Sequence, residues 1–435
     1  MVWHFSFCLS TSLRSGKEVT YPPCMQVFGA DQFDDEDMED RRGKSSFFNW
    51  CYFGVCGGTV VAVSVMAYVQ DTLGWGLGFG IPALAMGMGF LVFLKGRGSY
   101  RVVRLGGGNP FARIAQVFVA AFRKRKVSFV DRSLGHGDDS LPSASYAPCF
   151  YCEDGSGLAH TGQFRYLDKA SIPDELDMDT ISENQWRLCT LSQVEKVKLL
   201  LRMVPIWTSC LMYGVVFAQP STFFTKQGKT MERTIAYGFQ LPAASLRVFI
   251  SLTAVLLLPV YDRLFAPLCR KLTGKEGGIT VLQRMGFGIF LCVLSMVAAG
   301  IVETRRLKTA SDYGQLDEPS ATVPISICWL LPQYVLIGVA DVFIKVGLQE
   351  FFYDQMPDGL RSLGAAIEMS IVGLGSFMSS ILISMIENWS TARGGNWFSD
   401  NLNQAHLDYF YWLLALLSGV SLCFYMYFAH LYIFK

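Results

Sequence analysis

The sequence predicts an all-α membrane protein with about eight transmembrane helices, and three observations carry that prediction. Apolar residues make up 51% of the chain, aromatic residues 14% and charged residues only 17%, a balance beyond that of ordinary soluble domains. Crossing a hydrocarbon core takes roughly 20 predominantly apolar residues, and a window of that width finds candidate spans at 46–69, 79–94, 197–217, 245–264, 281–301, 325–346, 363–386 and 409–433. One of these runs holds Asp341 and Lys345, and ionisable groups inside the membrane are expensive enough to mark function by default.

Ahead of the first span, residues 1–9 are partly apolar but too short to cross, and 10–19 are polar. No basic flank or small-residue cleavage site suggests a signal peptide, so the expectation is a chain that starts inside something larger. On the first span Asn49 and Tyr52 are three apart and share a face, a donor and acceptor pair suited to a central cavity or to helix-to-helix hydrogen bonding. The second span is short and rich in glycine. A polar stretch from 95 to 193 follows, basic at Lys95, Arg97, Arg101, Arg104 and 123–126 and acidic around 135–140, and reads as a soluble linker between two membrane bundles. Within it Phe111, Ile114, Ala115, Phe118, Val119 and Phe122 recur at helical spacing. This is the pattern of an amphipathic helix, lying on an anionic leaflet or packed on the bundle.

Trp207, Tyr213, Phe217 and Gln219 lie on the third span or at its end. Asp262 and Arg263 close the fourth, and Arg305, Arg306 and Lys308 follow the fifth. On the sixth, Lys345 stands one turn beyond Asp341, where an amine can neutralise the acid. Burial makes the charge of a lone carboxylate costly, so the pair is a structural alternative to a proton-binding role for Asp341. Glu350 lies nine residues beyond Asp341, about 13 Å along a helix and on nearly the opposite face. It is expected at the cytoplasmic end of the span, as a gate or as an anchor for the turn at Met356, Pro357 and Asp358. Arg361 follows in that turn and Glu368 is an intramembrane acid of the seventh span. Charges at helix ends such as Asp262, Arg263, Glu350, Asp358 and Arg361 can latch a gate through bonds formed in one state only.

By the positive-inside rule the basic linker and the connection after Asp262 face the cytoplasm, which leaves both termini cytoplasmic. Arg305, Arg306 and Lys308 disagree, falling on the outer side. Asn388-Trp389-Ser390 is then an acceptor sequon in an outer loop.

Net charge is +1, so nothing points to nucleic acid. Cys51, Cys56, Cys210, Cys292 and Cys328 sit in apolar runs as small hydrophobes. Cys149 and Cys152 form a lone pair with no second pair to complete a zinc site. No nucleophile, base and orienting residue gather in one soluble segment, and Gly106-Gly107-Gly108 reads as a hinge rather than a phosphate loop, so no enzyme is expected.

Seven ordered strings resemble the plant nitrate and peptide transporter family, the plant branch of proton-dependent oligopeptide transporters. They are Phe28–Asp34 (FGADQFD), Phe47–Phe53 (FFNWCYF), Trp75–Pro82 (WGLGFGIP), Phe164–Ala170 (FRYLDKA), Trp186–Thr190 (WRLCT), Asp341–Pro357 and Asn396–Phe398 (NWF). The resemblance runs from about residue 23 to the end and implies the major facilitator superfamily fold, twelve helices in two bundles joined by a cytoplasmic linker. On that pattern the eight spans look like family helices five to twelve. The first four helices, with their acidic-acidic-basic coupling motif, are then absent: Glu36 to Arg41 only resembles that motif in composition. Pro22 stands where the family carries a fourth-helix lysine. The implied domains are 1–45 as remnant and loop, 46–94 as two helices of the N-terminal bundle, 95–193 as linker and 194–435 as the C-terminal bundle.

The resemblance assigns Asp341 to the family's tenth-helix acid, a substrate-binding or coupling position, and Phe217 to a position where a nitrate-transporting member carries histidine, a role a phenyl ring cannot fill. The expected proton and substrate site is therefore Asp341, Asn49, Tyr52, Trp207, Phe217 and Gln219. The expected function is a proton-coupled symporter of a peptide, nitrate or plant metabolite working by alternating access, with no cofactor or metal beyond the coupling proton. Its setting would be the plasma or vacuolar membrane. The rival reading is a nontransporting fragment that associates with full-length relatives, or an inactive product.

Overall fold

The computed structural model describes residues 23–34, 37–66, 69, 74–100, 110–125, 160–172, 186–234, 240–273, 279–319, 321–357, 360–392, 397–399 and 401–432. Pro22, Glu36, the glycine turn, the acidic run around 135–140, Cys149, Cys152, Asp358 and Asn396 lie outside the described residues.

Nine helices organise the description: α1 (Met38–Val61), α2 (Trp75–Lys95), α3 (Pro110–Arg123), α4 (Leu191–Ala218), α5 (Val248–Val260), α6 (Val281–Asp312), α7 (Leu331–Gln355), α8 (Arg361–Ala392) and α9 (Leu407–Leu431). All eight spans expected from hydropathy correspond to helices long and apolar enough to cross a membrane. Hydrocarbon offers no partner for backbone N–H and C=O groups, so a spanning segment must satisfy them within itself, and a helix does so. Two short strands, Met231–Glu232 and Val323–Ser326, pair in parallel beside the helix ends.

The largest departure from expectation is the length of α6. A capping box starts it, the Gln283 amide N–H donating to Thr280 Oγ1 at 3.2 Å and the Thr280 N–H to Gln283 Oε1 at 3.1 Å, which satisfies orphan donors of the first turn. The helix then runs past its expected end at 301, through the basic residues that looked like an outer loop. Arg306 is fully buried and grips the equally buried Glu303 one turn back, with Nε donating to Oε2 at 2.9 Å and Nη2 to Oε1 at 2.7 Å. Its remaining hydrogens reach Asn403 Oδ1 at 2.7 Å, the Leu402 carbonyl at 2.7 Å and Thr230 Oγ1 at 3.2 Å, while Gln227 donates to Glu303 at 2.7 Å. Arg305 lies over the Trp329 ring at 4.0 Å. Arg306 is thus not a free loop charge, because it is neutralised inside the fold, whereas Arg305 and Lys308 stay exposed on α6 and keep their exception to the positive-inside rule.

A second departure concerns the sequon. Residues 388–390 form the last turns of α8, and Ser390 is buried, so they are not an outer loop.

The chain divides into two compact units, 1–102 with 206–354 and 362–432, and 103–205 with 355–361 and 433–435. In the larger unit α1 packs on α5 and α7, burying Phe47, Phe48, Cys51, Tyr52 and Cys56 against Ala254, Leu258, Val342 and Val346. α6 and α9 run along each other, with the Tyr425 hydroxyl donating to the Leu282 carbonyl at 2.7 Å. α4 and α8 cross where Gly214 meets Gly375: a Cβ built on Gly375 would stand 2.5 Å from the Gly214 Cα. No side chain fits there, and small residues at such crossings let membrane helices approach closely. Gly375→Leu is therefore expected to drive α4 and α8 apart and to abolish the monodisperse peak of the purified protein in size-exclusion chromatography. A peak unchanged from wild type would refute the crossing.

In the smaller unit α3 forms over the expected residues and shows two faces. Val117, Ala120 and Ala121 pack against Leu167, Ala170, Cys189, Val194 and Val197, while Phe111, Phe118 and Phe122 stay exposed. The FRYLDKA string meets α4 through ions: Lys198 Nζ lies 2.5 Å from Asp168 and 2.8 Å from Glu195, all three buried. Thr161 Oγ1 donates to Glu195 at 2.7 Å, and Arg202 donates to Thr161 Oγ1. His160, Asp168 and Glu195 are close enough to share a metal ion, but the Lys198 ammonium already supplies a cation to both acids. Burial pushes the Cys189 thiol up to about 11, against the lowering effect of Lys124. Because the thiolate is the nucleophile, Cys189 is expected to resist maleimide at neutral pH while the exposed Cys328 reacts. Site-resolved mass spectrometry reads the difference, and equal labelling would contradict it.

Candidate functional site

Three helices of the larger unit converge on one carboxylate. Asp341 sits mid-way along α7 and is buried, as are Tyr52 on α1 and Tyr213 on α4. The Tyr52 hydroxyl donates to Asp341 Oδ2 and the Tyr213 hydroxyl to Oδ1. Helical periodicity sets this up, because Tyr52 lies on the face of α1 that packs on α7 and the aromatic rings pack as hydrophobes while their hydroxyls seek a partner. An ionised carboxylate only accepts hydrogen bonds, so both phenols can donate to it. A protonated one must itself donate from one oxygen. The oxygen that takes the proton becomes a poorer acceptor, so adding a proton weakens or reverses one of the two tyrosine bonds, and those bonds tie α1 and α4 to the same point on α7.

Lys345, expected beside Asp341 on spacing, has its ammonium 2.7 Å from Glu368 on α8.

Trp207 and Gln219 face α8. The Trp207 indole donates to the Ile367 carbonyl at 3.2 Å and to Ser370 Oγ at 3.0 Å, and the Gln219 amide donates to Ser379 Oγ at 3.1 Å and to the Val215 carbonyl at 2.9 Å. They flank the glycine crossing, so their polar atoms fasten two helices. Phe217 rests against the ring of Tyr213 at 5.8 Å between centroids.

A second polar layer lies nearer the helix ends that carry residues 44, 262, 284 and 350. Asn49 shares a helix face with Tyr52 but serves this layer: its Nδ2 donates to Asp262 Oδ1 at 3.1 Å, and its Oδ1 accepts from Arg284 Nη2 at 2.8 Å. Asp262 also accepts from Ser46 at 2.8 Å and from the Trp50 indole at 3.2 Å. A π-helical turn, Tyr261–Phe265, carries Asp262; such turns re-aim side chains and recur at functional sites. Arg284 is buried, lies 4.4 Å from the centroid of the Tyr261 ring and has Nη1 3.7 Å from Glu350. Arg263 lies over the Trp50 ring at 5.6 Å. Outside this layer, Lys44 pairs with Asp354 at 2.7 Å, and the Tyr353 hydroxyl donates to Asp31 at 2.6 Å. The structure thus brings Asn49, Asp262, Arg263 and Glu350 together around an arginine that sequence reasoning missed. Its signal was available, a charge three residues into an apolar span. Arg361 opens α8, partly buried, in the smaller unit.

Residues 21–398 match the POT family. The chain belongs to that family. Among its relatives from Arabidopsis thaliana, Protein NRT1/PTR FAMILY 5.10 is 49% identical over 95% of this chain and 70% of its own length, and Protein NRT1/PTR FAMILY 5.12 is 46% identical over 99% and 72%. Among solved structures, an auto-inhibited POT family peptide transporter superposes with a TM-score of 0.55 at 17% identity, covering 100% of this chain and 82% of that one. The POT family transporter PepTSo gives 0.56 at 16% identity, covering 99% and 82%. At such identities the likeness carries the fold alone, and the fold is of the major facilitator type. This POT family chain is an integral, multi-pass membrane protein whose family acts on small molecules.

Proposed function

We propose that the chain moves a small solute together with protons by alternating access, with Asp341 as the group on which the proton acts. The observation that carries this reading is the pair of tyrosine hydroxyls on one buried carboxylate. Ionised, Asp341 holds α1 and α4 at once. Protonated, it holds one of them less tightly, because the oxygen that carries the proton is a poorer acceptor and has a hydrogen of its own to place, so a single proton biases a two-state packing of helices. The Arg284 layer is the matching latch at the end that the basic loops assign to the cytoplasm. Its bonds join α1, α5, α6 and α7, and they must part for that end to open. Asn49 belongs to the latch, Tyr52 and Tyr213 to the proton site, and Trp207 and Gln219 to the α4–α8 joint beside it. A proton is the coupling ion, and no other cofactor enters the reading.

The test is uptake of a panel of peptides, nitrate and small metabolites by cells expressing the chain, at neutral and mildly acidic pH. Acid-stimulated uptake of at least one solute is expected, reduced in Tyr52→Phe and Tyr213→Phe at unchanged surface expression. Uptake that ignores both substitutions would remove Asp341 and its tyrosines from the mechanism.

A further inference from the structure

The helix α3 gives one face to the protein and turns another outward. Val117, Ala120 and Ala121 hold its inner face in the core of the smaller unit. Lys124, just past its end, is buried and its ammonium donates to the Ile172 carbonyl at 2.7 Å, while the Lys169 ammonium donates to the Arg125 carbonyl at 2.9 Å. Phe111, Phe118 and Phe122 fall within about 40° of one another around the helix, and they are 64%, 43% and 61% exposed. Single exposed apolar residues are ordinary, but three phenyl rings aligned on a 14-residue helix form the kind of contiguous patch that marks an interaction surface. Arg123 and Arg125, both exposed, follow at the C-terminal end of this stripe, and the Arg125 guanidinium lies 4.7 Å from the centroid of the Phe122 ring. No acidic residue occurs from 105 to 130, so the charge beside the rings has one sign.

We propose that the outward face of α3 docks on the cytoplasmic leaflet, with its three rings among acyl chains and Arg123 and Arg125 on the headgroups of anionic glycerophospholipids. The rings suit the depth, because an interfacial helix buries its apolar face roughly 5–10 Å below the headgroups, about the reach of a phenylalanine side chain. The cations suit the sign, because that leaflet is negatively charged and attracts basic residues that flank an apolar face. An arginine can lay its methylenes along the apolar surface while its guanidinium stays at the phosphates. A second copy docked face to face would set these arginines against their own images, with no acid in the segment to meet them. The surface needs neither a transported solute nor a proton on Asp341, and it fixes the linker at the one end of the bundle to which its basic residues assign it.

The test places the photo-crosslinking residue benzoylphenylalanine at Phe118 of the full chain, reconstituted in nanodiscs of phosphatidylcholine with a minority of phosphatidylserine. Mass spectrometry of the irradiated α3 peptide identifies what the ring touches. Phospholipid adducts are expected, with phosphatidylserine enriched about fivefold over its share of the bilayer, as the attraction of one basic residue near an anionic surface gives. High salt should reduce that enrichment. Arg123→Gln/Arg125→Gln is expected to bring it down to about onefold while lipid adducts persist, and Phe111→Ser/Phe122→Ser to lower the adducts of both lipids together. Both variants change exposed side chains and should keep the monodisperse peak of the wild type. The same probe irradiated in cells reads the other occupants. Crosslinks to a second copy or to another protein, a peptide without lipid adducts, or labelling of the two lipids in proportion to their abundance would each overturn the proposal.

Discussion

Arg306→Ala is expected to cost about 3–5 kcal/mol of stability, the magnitude of removing one partner from a buried ion pair. Glu303 would be left charged and fully buried, with Gln227 as its remaining described donor. The Leu402 carbonyl and the Asn403 side chain would lose the guanidinium that ties the approach to α9 onto α6. The measurement is the melting temperature of purified protein in mild detergent beside Arg306→Lys and the Arg306→Met/Glu303→Gln pair. Lysine cannot reproduce the bidentate fork and should recover little, whereas the neutral pair removes the isolated charge and should recover most of the loss. An alanine variant that melts with wild type would mean that the network is an exposed, solvated pair.

Arg284→Ala is expected to open the end of the bundle that the Asp262 layer closes. A charge-assisted hydrogen bond is worth about 1.5–3 kcal/mol, and a shift of about 1.4 kcal/mol already changes a two-state population tenfold. The native Cys56, buried one turn beyond Tyr52, reports the change. Its labelling by a membrane-impermeant thiol reagent from the cytoplasmic side should rise about tenfold or more in Arg284→Ala. Asp262→Asn, which keeps shape but weakens the Asn49, Ser46 and Trp50 bonds, should act in the same direction. Labelling of Cys56 that stays at the wild-type level in both variants would mean that the layer is a static brace.

The spans were legible because hydrocarbon leaves a helix no alternative, so hydropathy alone placed all eight. What hydropathy misjudged was α6, where Arg305, Arg306 and Lys308 resembled a loop; only the Glu303 and Asn403 contacts reveal that the guanidinium is neutralised inside. The candidate site was legible residue by residue but not in its pairings. Asp341, Tyr52, Tyr213, Lys345 and Glu368 all stood out as polar groups in apolar runs. Spacing along one helix offered only Asp341 with Lys345, and the structure adds Glu368 beside Lys345 and two tyrosines on Asp341. Partners on other helices are set by packing, which a one-dimensional period does not encode. Trp207 and Gln219 show the converse, since residues fit for a cavity spend their hydrogens on α8 beside a glycine crossing that no composition signals.

The central claim is that proton and solute meet through Asp341. The most direct measurement reconstitutes the chain into vesicles loaded with a pH-sensitive dye and applies an inward gradient of a solute found by the uptake panel. The account predicts acidification of the interior that follows solute entry, persists in Asp341→Glu and disappears in Asp341→Asn. Acidification of equal rate and extent in Asp341→Asn would contradict it.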